Sequence, residues 1–264
     1  LTQNNDFTGA VNLTNTGANN VSVTDANALQ LGTVSTGGNL TASAVGITQT
    51  AGGLTVAGTT TINAGAGVIT LTTAGNALTG AVSLNNSGAN NVSLTNSIAT
   101  VLGTSSVGSG TLTVNSTSGQ ITQTGALTQE ASAGAATFNA GGNAIALTNT
   151  GNDFTGDVSL NNSGANNVSV TDANAIQLGT SSVGSGTLTV TATGANAITQ
   201  SGTITQAASA GVASFTTGGG AITLTQNNDF TGAVNLTNTG ANNVSVTDAN
   251  ALQLGTVSTG GNLT

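Results

Sequence analysis

Lysine, arginine, histidine, cysteine, proline, methionine, tryptophan and tyrosine are all absent from this chain of 264 residues. Most of the side chains that carry chemistry are therefore unavailable. With no cation to offset them, the eight acidic residues leave a formal charge of -8. Side-chain salt bridges cannot form, and attraction to a phosphate backbone is disfavoured, so no nucleic-acid partner is expected. Absent cysteine fits an exported protein that needs no disulfides. Absent proline leaves every residue able to donate to a strand ladder. No run reaches the roughly 18 apolar residues of a helical membrane span, so no membrane insertion is expected. The chain opens on Leu1 without a basic start or an apolar leader. The expectation is that it is an internal piece of something longer.

What is present is pattern. Leu, Ile and Val recur at every second position in short runs bounded by Gly, Asn, Ser and Thr, as in Val11 and Leu13, Val21 and Val23, Leu29 and Leu31, and Leu54 and Val56. Alternation of this kind marks half-buried strands separated by turns, and it argues for order despite the low charge and the few aromatics. The string GANNVS begins at Gly17, Gly88, Gly164 and Gly240, at nearly equal intervals. The chain reads as one continuous solenoid, 1–264, of repeat units 1–70, 71–146, 147–223 and a truncated 224–264. Leu224 to Thr264 repeats Leu1 to Thr41 without a change.

The fold class expected is all-β, a right-handed parallel β-helix (β-solenoid) with coils of about 19 residues, about four coils per unit and about 14 in the chain. Each residue would lie about 4.8 Å above its counterpart, inward side chains forming an apolar column and outward Thr, Ser and Asn forming ladders. Gly and Asn would supply the positive-φ corners. A helical reading fails, because Gly, Asn, Thr, Ser and Val are poor helix formers and no 3.6-residue apolar stripe exists. An antiparallel sandwich is the alternative; against it, the units lack differentiated strands and long irregular loops.

The motifs DFTGAVNLTNTGANNVSVTDANALQLGT and GSGTLTVTATGANAITQSGTITQ resemble the repeat regions of filamentous-haemagglutinin-like adhesins and related giant β-strand-repeat surface proteins of bacteria. The resemblance spans the chain and lies in repeat style. It implies an extracellular place on the bacterial cell surface or in a secreted fibre, by a two-partner or autotransporter route, with the repeats as stalk.

Candidate sites are few. Asp6, Asp153 and Asp229 occupy one repeat position, where the second unit has Ala77; Asp25, Asp172 and Asp248 occupy another, where it has Asn96; Asp157 and Glu130 stand apart. Carboxylates once per unit would sit about four rungs, roughly 19 Å, apart, too far to share a substrate atom, so no catalytic or cofactor-binding residue is expected and the chain is not read as an enzyme. Asp6, Asp25, Asp153, Asp157, Asp172, Asp229 and Asp248 are the residues that could offer oxygens to calcium. The G-G-x-G-x-D pattern of calcium-binding β-rolls is missing, so turn capping is the expected role and no metal site is assigned.

Phe7, Phe154 and Phe230 share a position with Leu78, and Phe138 and Phe215 share one with Ile62; apolar replacement points to interior stacking. Asn12, Asn20, Asn39 and Asn115 formally match glycosylation acceptors, which arise by chance in so Asn-rich a chain. The function expected is a rigid structural stalk or filament of a surface adhesin. The alternative is a carbohydrate- or ice-binding module using an outward Thr/Asn face. Expected partners are further copies of the repeat stacked end to end, and host or environmental glycans.

Overall fold

Runs such as Val92–Asn96 (VSLTN) and Leu188–Ala192 (LTVTA) alternate buried and half-exposed residues. Such runs need a wall of neighbours on one face and water on the other, and a coil of parallel strands supplies both. The computed structural model describes residues 1–264 and consists of strands with no helix. Two compact units follow each other, 1–134 and 135–264.

In residues 1–134, the strands Val21–Thr24, Leu40–Ser43, Thr60–Asn63, Val82–Asn85, Thr100–Leu102 and Ile121–Gln123 succeed one another in one sheet. Leu29–Thr36, Ile47–Gln49, Ile69–Leu71, Val92–Asn96 and Leu112–Ser116 do so in the other. Every pairing is parallel and mostly in strict register, for example Leu40 on Thr60 on Val82 and Ile69 on Val92 on Leu112. The inward columns these create are fully buried: Ala42, Ile62 and Leu84 on one wall, Leu71, Leu94 and Val114 on the other.

Residues 135–264 repeat the arrangement. Val168–Asp172, Leu188–Ala192, Ala213–Thr217, Val234–Asn238 and Leu254–Thr259 stack in one sheet, and Val158–Asn161, Ile176–Leu178, Ile198–Gln200, Ile222–Asn228 and Val244–Asp248 in the other. The parallel β-solenoid read from the alternation is thus found in each unit. Its coils are longer and fewer than expected. The shortest step carries Leu29 onto Ile47 and the longest carries Leu188 onto Ala213. There are about 12 coils of ~21 residues. Corners such as Gly194–Ala197 absorb residues that strand spacing does not reveal.

The repeat also holds three and a half coils, not four. From the GANNVS strand Val21–Thr24, three steps along its sheet reach Val82–Asn85, and the next strand, the GANNVS strand Val92–Asn96, lies in the opposite sheet. In the second unit, three steps lead from Val168–Asp172 to Val234–Asn238, and Val244–Asp248 again falls opposite. Equivalent positions of consecutive repeats within a unit therefore face away from each other.

The cause is local. Most coils place two short strands on one side, as Ile47–Gln49 with Leu54–Val56, and one straight strand on the other, as Thr60–Asn63. At VSLNNSGANNVSL two straight strands, Val82–Asn85 and Val92–Asn96, come in succession, and the next pair, Thr100–Leu102 and Ser105–Val107, lands on the sheet of Val82–Asn85. A straight strand must then support a bent pair. Val82 pairs with Leu102 but Asn85 pairs with Ser106, so one extra residue is absorbed as a bulge at Gly103. The Ser105 hydroxyl repairs the gap: it accepts from the Leu84 N–H at 3.0 Å and donates to the Gly103 carbonyl at 3.0 Å. Ser181 does the same for Leu160 and Gly179.

Candidate functional site

Side chains that could carry function collect at the corners, because the strands offer chiefly Thr, Ser, Asn and Gln outward, with an occasional apolar residue such as Val101 or Ala146. The acids come first. Within each repeat that has them, the two acids occupy neighbouring rungs: Asn5 bridges to Asp25, Phe154 N–H donates to Asp172 Oδ2 at 3.3 Å, and Phe230 N–H donates to Asp248 Oδ1 at 3.1 Å. The expectation of carboxylates isolated four rungs apart missed this pairing, which sequence spacing hides because the partners belong to successive coils. The inner acid turns onto backbone amides. Asp172 is fully buried and also accepts from the Asn174 N–H at 3.2 Å. Burial, reinforced by the nearby Asp153 charge, pushes its carboxyl up to about 6 against the opposing pull of those amides.

The outer acid stays at the surface, where a neighbouring amide holds it: Asn27 Nδ2 donates to Asp6 Oδ1 at 3.0 Å, and Asn250 Nδ2 to Asp229 Oδ1 at 2.6 Å. Asp157 accepts from the Ser201 hydroxyl at 2.5 Å and Glu130 from the Gly88 N–H at 3.3 Å. No group of three or more acids converges as a metal cage would need. Of the calcium candidates, Asp25, Asp172 and Asp248 accept backbone N–H groups at corners, while Asp6, Asp157 and Asp229 accept from side chains of other coils.

Asparagine plays a part the sequence reading misassigned. No Asn has a positive φ; that region is held by Gly46, Gly65, Gly88, Gly141 and Gly194 and, without glycine, by Ser132 and Ser209. Several Asn side chains point inward to satisfy backbone groups where a strand ends. Asn228, fully buried, accepts from the Ile204 N–H at 2.9 Å and donates to the Leu224 and Thr247 carbonyls at 3.3 and 3.0 Å. Asn76 makes the same set with Leu54, Leu71 and Thr95. Asn96, at the position of Asp172, accepts from Leu78 N–H and donates to the Leu78 and Ala99 carbonyls, the latter two at 3.1 Å each.

The GANN string is a clamp between coils. Its first Asn reaches back one coil, from Asn90 to the Ala66 carbonyl at 3.0 Å and from Asn166 to the Gly142 carbonyl at 2.7 Å. Its second Asn accepts from the coil ahead, Asn91 from Thr111 N–H at 3.0 Å and Asn167 from Thr187 N–H at 3.1 Å. The same use occupies formal glycosylation acceptors: Asn12 accepts from Thr33 N–H, Asn20 from Asn39 N–H and Asn39 from Thr59 N–H. Outward ladders also form, with Asn85 Nδ2 donating to Asn63 Oδ1 at 3.0 Å and Asn63 Nδ2 to the Ser43 hydroxyl at 3.2 Å.

The phenylalanines stack inside. Phe138 meets Phe154 edge-on with centroids 5.9 Å apart, and Phe215 meets Phe230 at 5.8 Å, all four buried. Phe7 is half-buried.

Beside each VSLNNS turn the surface dips. One notch is lined by Asn63, Gly65, Asn85, Asn86, Ser87 and Ser106, about 260 Å³. The other, about 300 Å³, is lined by Asn139, Gly141, Asn161, Asn162, Ser163 and Ser182. The second set is the first carried forward one repeat, position for position.

Comparison with protein-family models finds the repeats of unknown function DUF5649 three times, over residues 18–85, 89–161 and 165–237. No curated protein and no solved structure matches the chain. Each match begins inside a GANN clamp and ends on the straight strand before the next, so the family's repeat runs from one change of side to the next. Those matches cover most of the chain, which therefore belongs to the family of repeats of unknown function DUF5649.

Proposed function

We propose that this chain is a structural repeat segment of an extracellular bacterial adhesin or surface fibre, a non-catalytic rigid stalk that sets length and presents whatever lies beyond it. The observation that carries the reading is the economy of the polar side chains. The inner Asp and Asn and the GANN amides are spent on joining one coil to the next, as Asn228, Asn91 and Asn167 do, and none converge as reacting groups would. Stiffness follows from such joining, since within each unit successive coils are tied by ladder hydrogen bonds, and at the GANN strings also by amide clamps. A surface without cations or long apolar stretches also suits passage through, and life in, an extracellular medium.

Further copies of the repeat, stacked end to end, are the proposed partners. Length is the test. Three repeats of three and a half coils would add about 50 Å at 4.8 Å per coil, less than the roughly 57 Å that four-coil units of 19 residues would give. Proteins carrying three, six and nine repeats, measured by electron microscopy and small-angle scattering, should lengthen by that step. Compact particles at every size would overturn the stalk.

A further inference from the structure

We propose that the notch beside each VSLNNSGANNVS turn is a low-affinity binding site for neutral, hydroxyl-rich saccharide. Three observations carry it, and none depends on the stalk reading.

The first is recurrence. Asn63, Asn85, Asn86, Ser87 and Ser106 shape one depression in residues 1–134, and Asn139, Asn161, Asn162, Ser163 and Ser182 shape another in residues 135–264. The fold rebuilds the feature wherever the local sequence is VSLNNS. Where it is VNLTNT, as at Val11–Thr16 and Val234–Thr239, the ladder position of Asn85 and Asn161 is held by Thr14 and Thr237, and the amide that lines the notch is lost.

The second is how the polar atoms are used. The wall is prearranged: Asn85 donates to Asn63 and accepts from the Ser106 N–H at 3.2 Å, while Asn86 is locked by donating to the Gly67 and Asn90 carbonyls and accepting from the Gly108 N–H. Asn161 and Asn162 repeat these bonds with Asn139, Ser182, Asn143, Asn166 and Gly184. Ser87, Ser106, Ser163 and Ser182 are exposed at the rim, with hydroxyls turned to neither ladder nor clamp. The wall is rigid because its amides are already bonded within the chain. What each notch offers a ligand is therefore two rim hydroxyls beside a mostly apolar floor, a mixed surface that the hydroxyls and C–H faces of a sugar match and a purely accepting anion does not.

The third is charge. No lining residue is ionisable, and the chain has no cation to hold a sulfate, phosphate or carboxylate. Neutral saccharide is thus the class that fits. With no aromatic platform and a shallow, wet site, each notch should bind only on the order of 1 mM. Useful affinity then comes from many repeats engaging one polymer.

The test is saturation-transfer NMR on the whole chain, with neutral gluco-, galacto- and manno-oligosaccharides as probes, a sulfated oligosaccharide as the charged control and a neutral Gly/Ser peptide as the competing class. Ser87→Gln with Ser163→Gln fills both notches from exposed positions. Thr55→Gln with Thr189→Gln makes the same change on exposed strand positions away from them. Ser106→Ala with Ser182→Ala removes rim hydroxyls should the first pair disturb folding. Transfer to at least one neutral saccharide, weakened about tenfold by either notch pair and unchanged by the strand pair, is the expected result. Transfer to no saccharide, equal transfer in all variants, or a preference for the peptide or the sulfated probe would overturn the proposal.

Discussion

Replacing Asp172 with Asn should stabilise this protein at neutral pH and leave it almost unchanged in acid. Asp172 is fully buried, and its carboxyl is raised from 3.8 to about 6, chiefly by desolvation. The sign follows from linkage. Because the folded carboxyl holds its proton more tightly than the unfolded one, stability from this group is fully present below about pH 4 and is lost as pH rises through about 6. A rise of that size corresponds to about 3 kcal/mol at pH 7 or above. The chain carries its own comparison at Asn96, where a neutral side chain accepts the Leu78 N–H and donates to two carbonyls that a carboxylate could only repel. Urea unfolding of wild type and D172N, monitored by far-ultraviolet circular dichroism from pH 4 to 8, measures the difference directly, and carbon-detected NMR gives the Asp172 titration. The gap between the proteins should open from near zero at pH 4 to about 3 kcal/mol by pH 7. A difference that stays flat over that range, or an Asp172 carboxyl titrating near 4, refutes the reasoning.

The Thr60 and Thr100 hydroxyls are buried without a partner, so Thr60→Val, nearly equal in shape, should raise the urea midpoint by the equivalent of about 1 kcal/mol. Asn228→Ala orphans the Ile204 N–H and two carbonyls; at about 1–3 kcal/mol per stranded group, it should accelerate amide exchange around Ile204 far more than around Ile121. Spin labels at Ser22 and Ser93, equivalent outward positions of consecutive repeats, should lie on opposite faces of residues 1–134 and be farther apart than their axial offset of roughly 17 Å. A pair separated by only about 19 Å, the axial rise of four coils, would restore the four-coil repeat.

The alternation of Leu, Ile and Val dictated strands, the repeated strings dictated a solenoid, and the interchange of Phe with Leu78 and Ile62 marked the interior, because each of these depends on a residue's own polarity and its neighbours within a few positions. Gly88 and Gly141 as left-handed corners were legible for the same reason. The inward amides were not. Asn76 and Asn228 look like turn residues until the strand ends they satisfy are brought in from a neighbouring coil. Nor did sequence spacing disclose that Asp153 acts on Asp172, or that Asn63, Asn85 and Ser106 border one notch, since each joins different coils. The length of each coil decides all of these, and it is fixed by how corners pack one above another. Two straight strands in succession at VSLNNSGANNVSL make the repeat three and a half coils. That half coil, invisible in any single repeat, determines which face each copy presents, because a chain winding around a two-walled core can change walls only by packing against the coil beneath it.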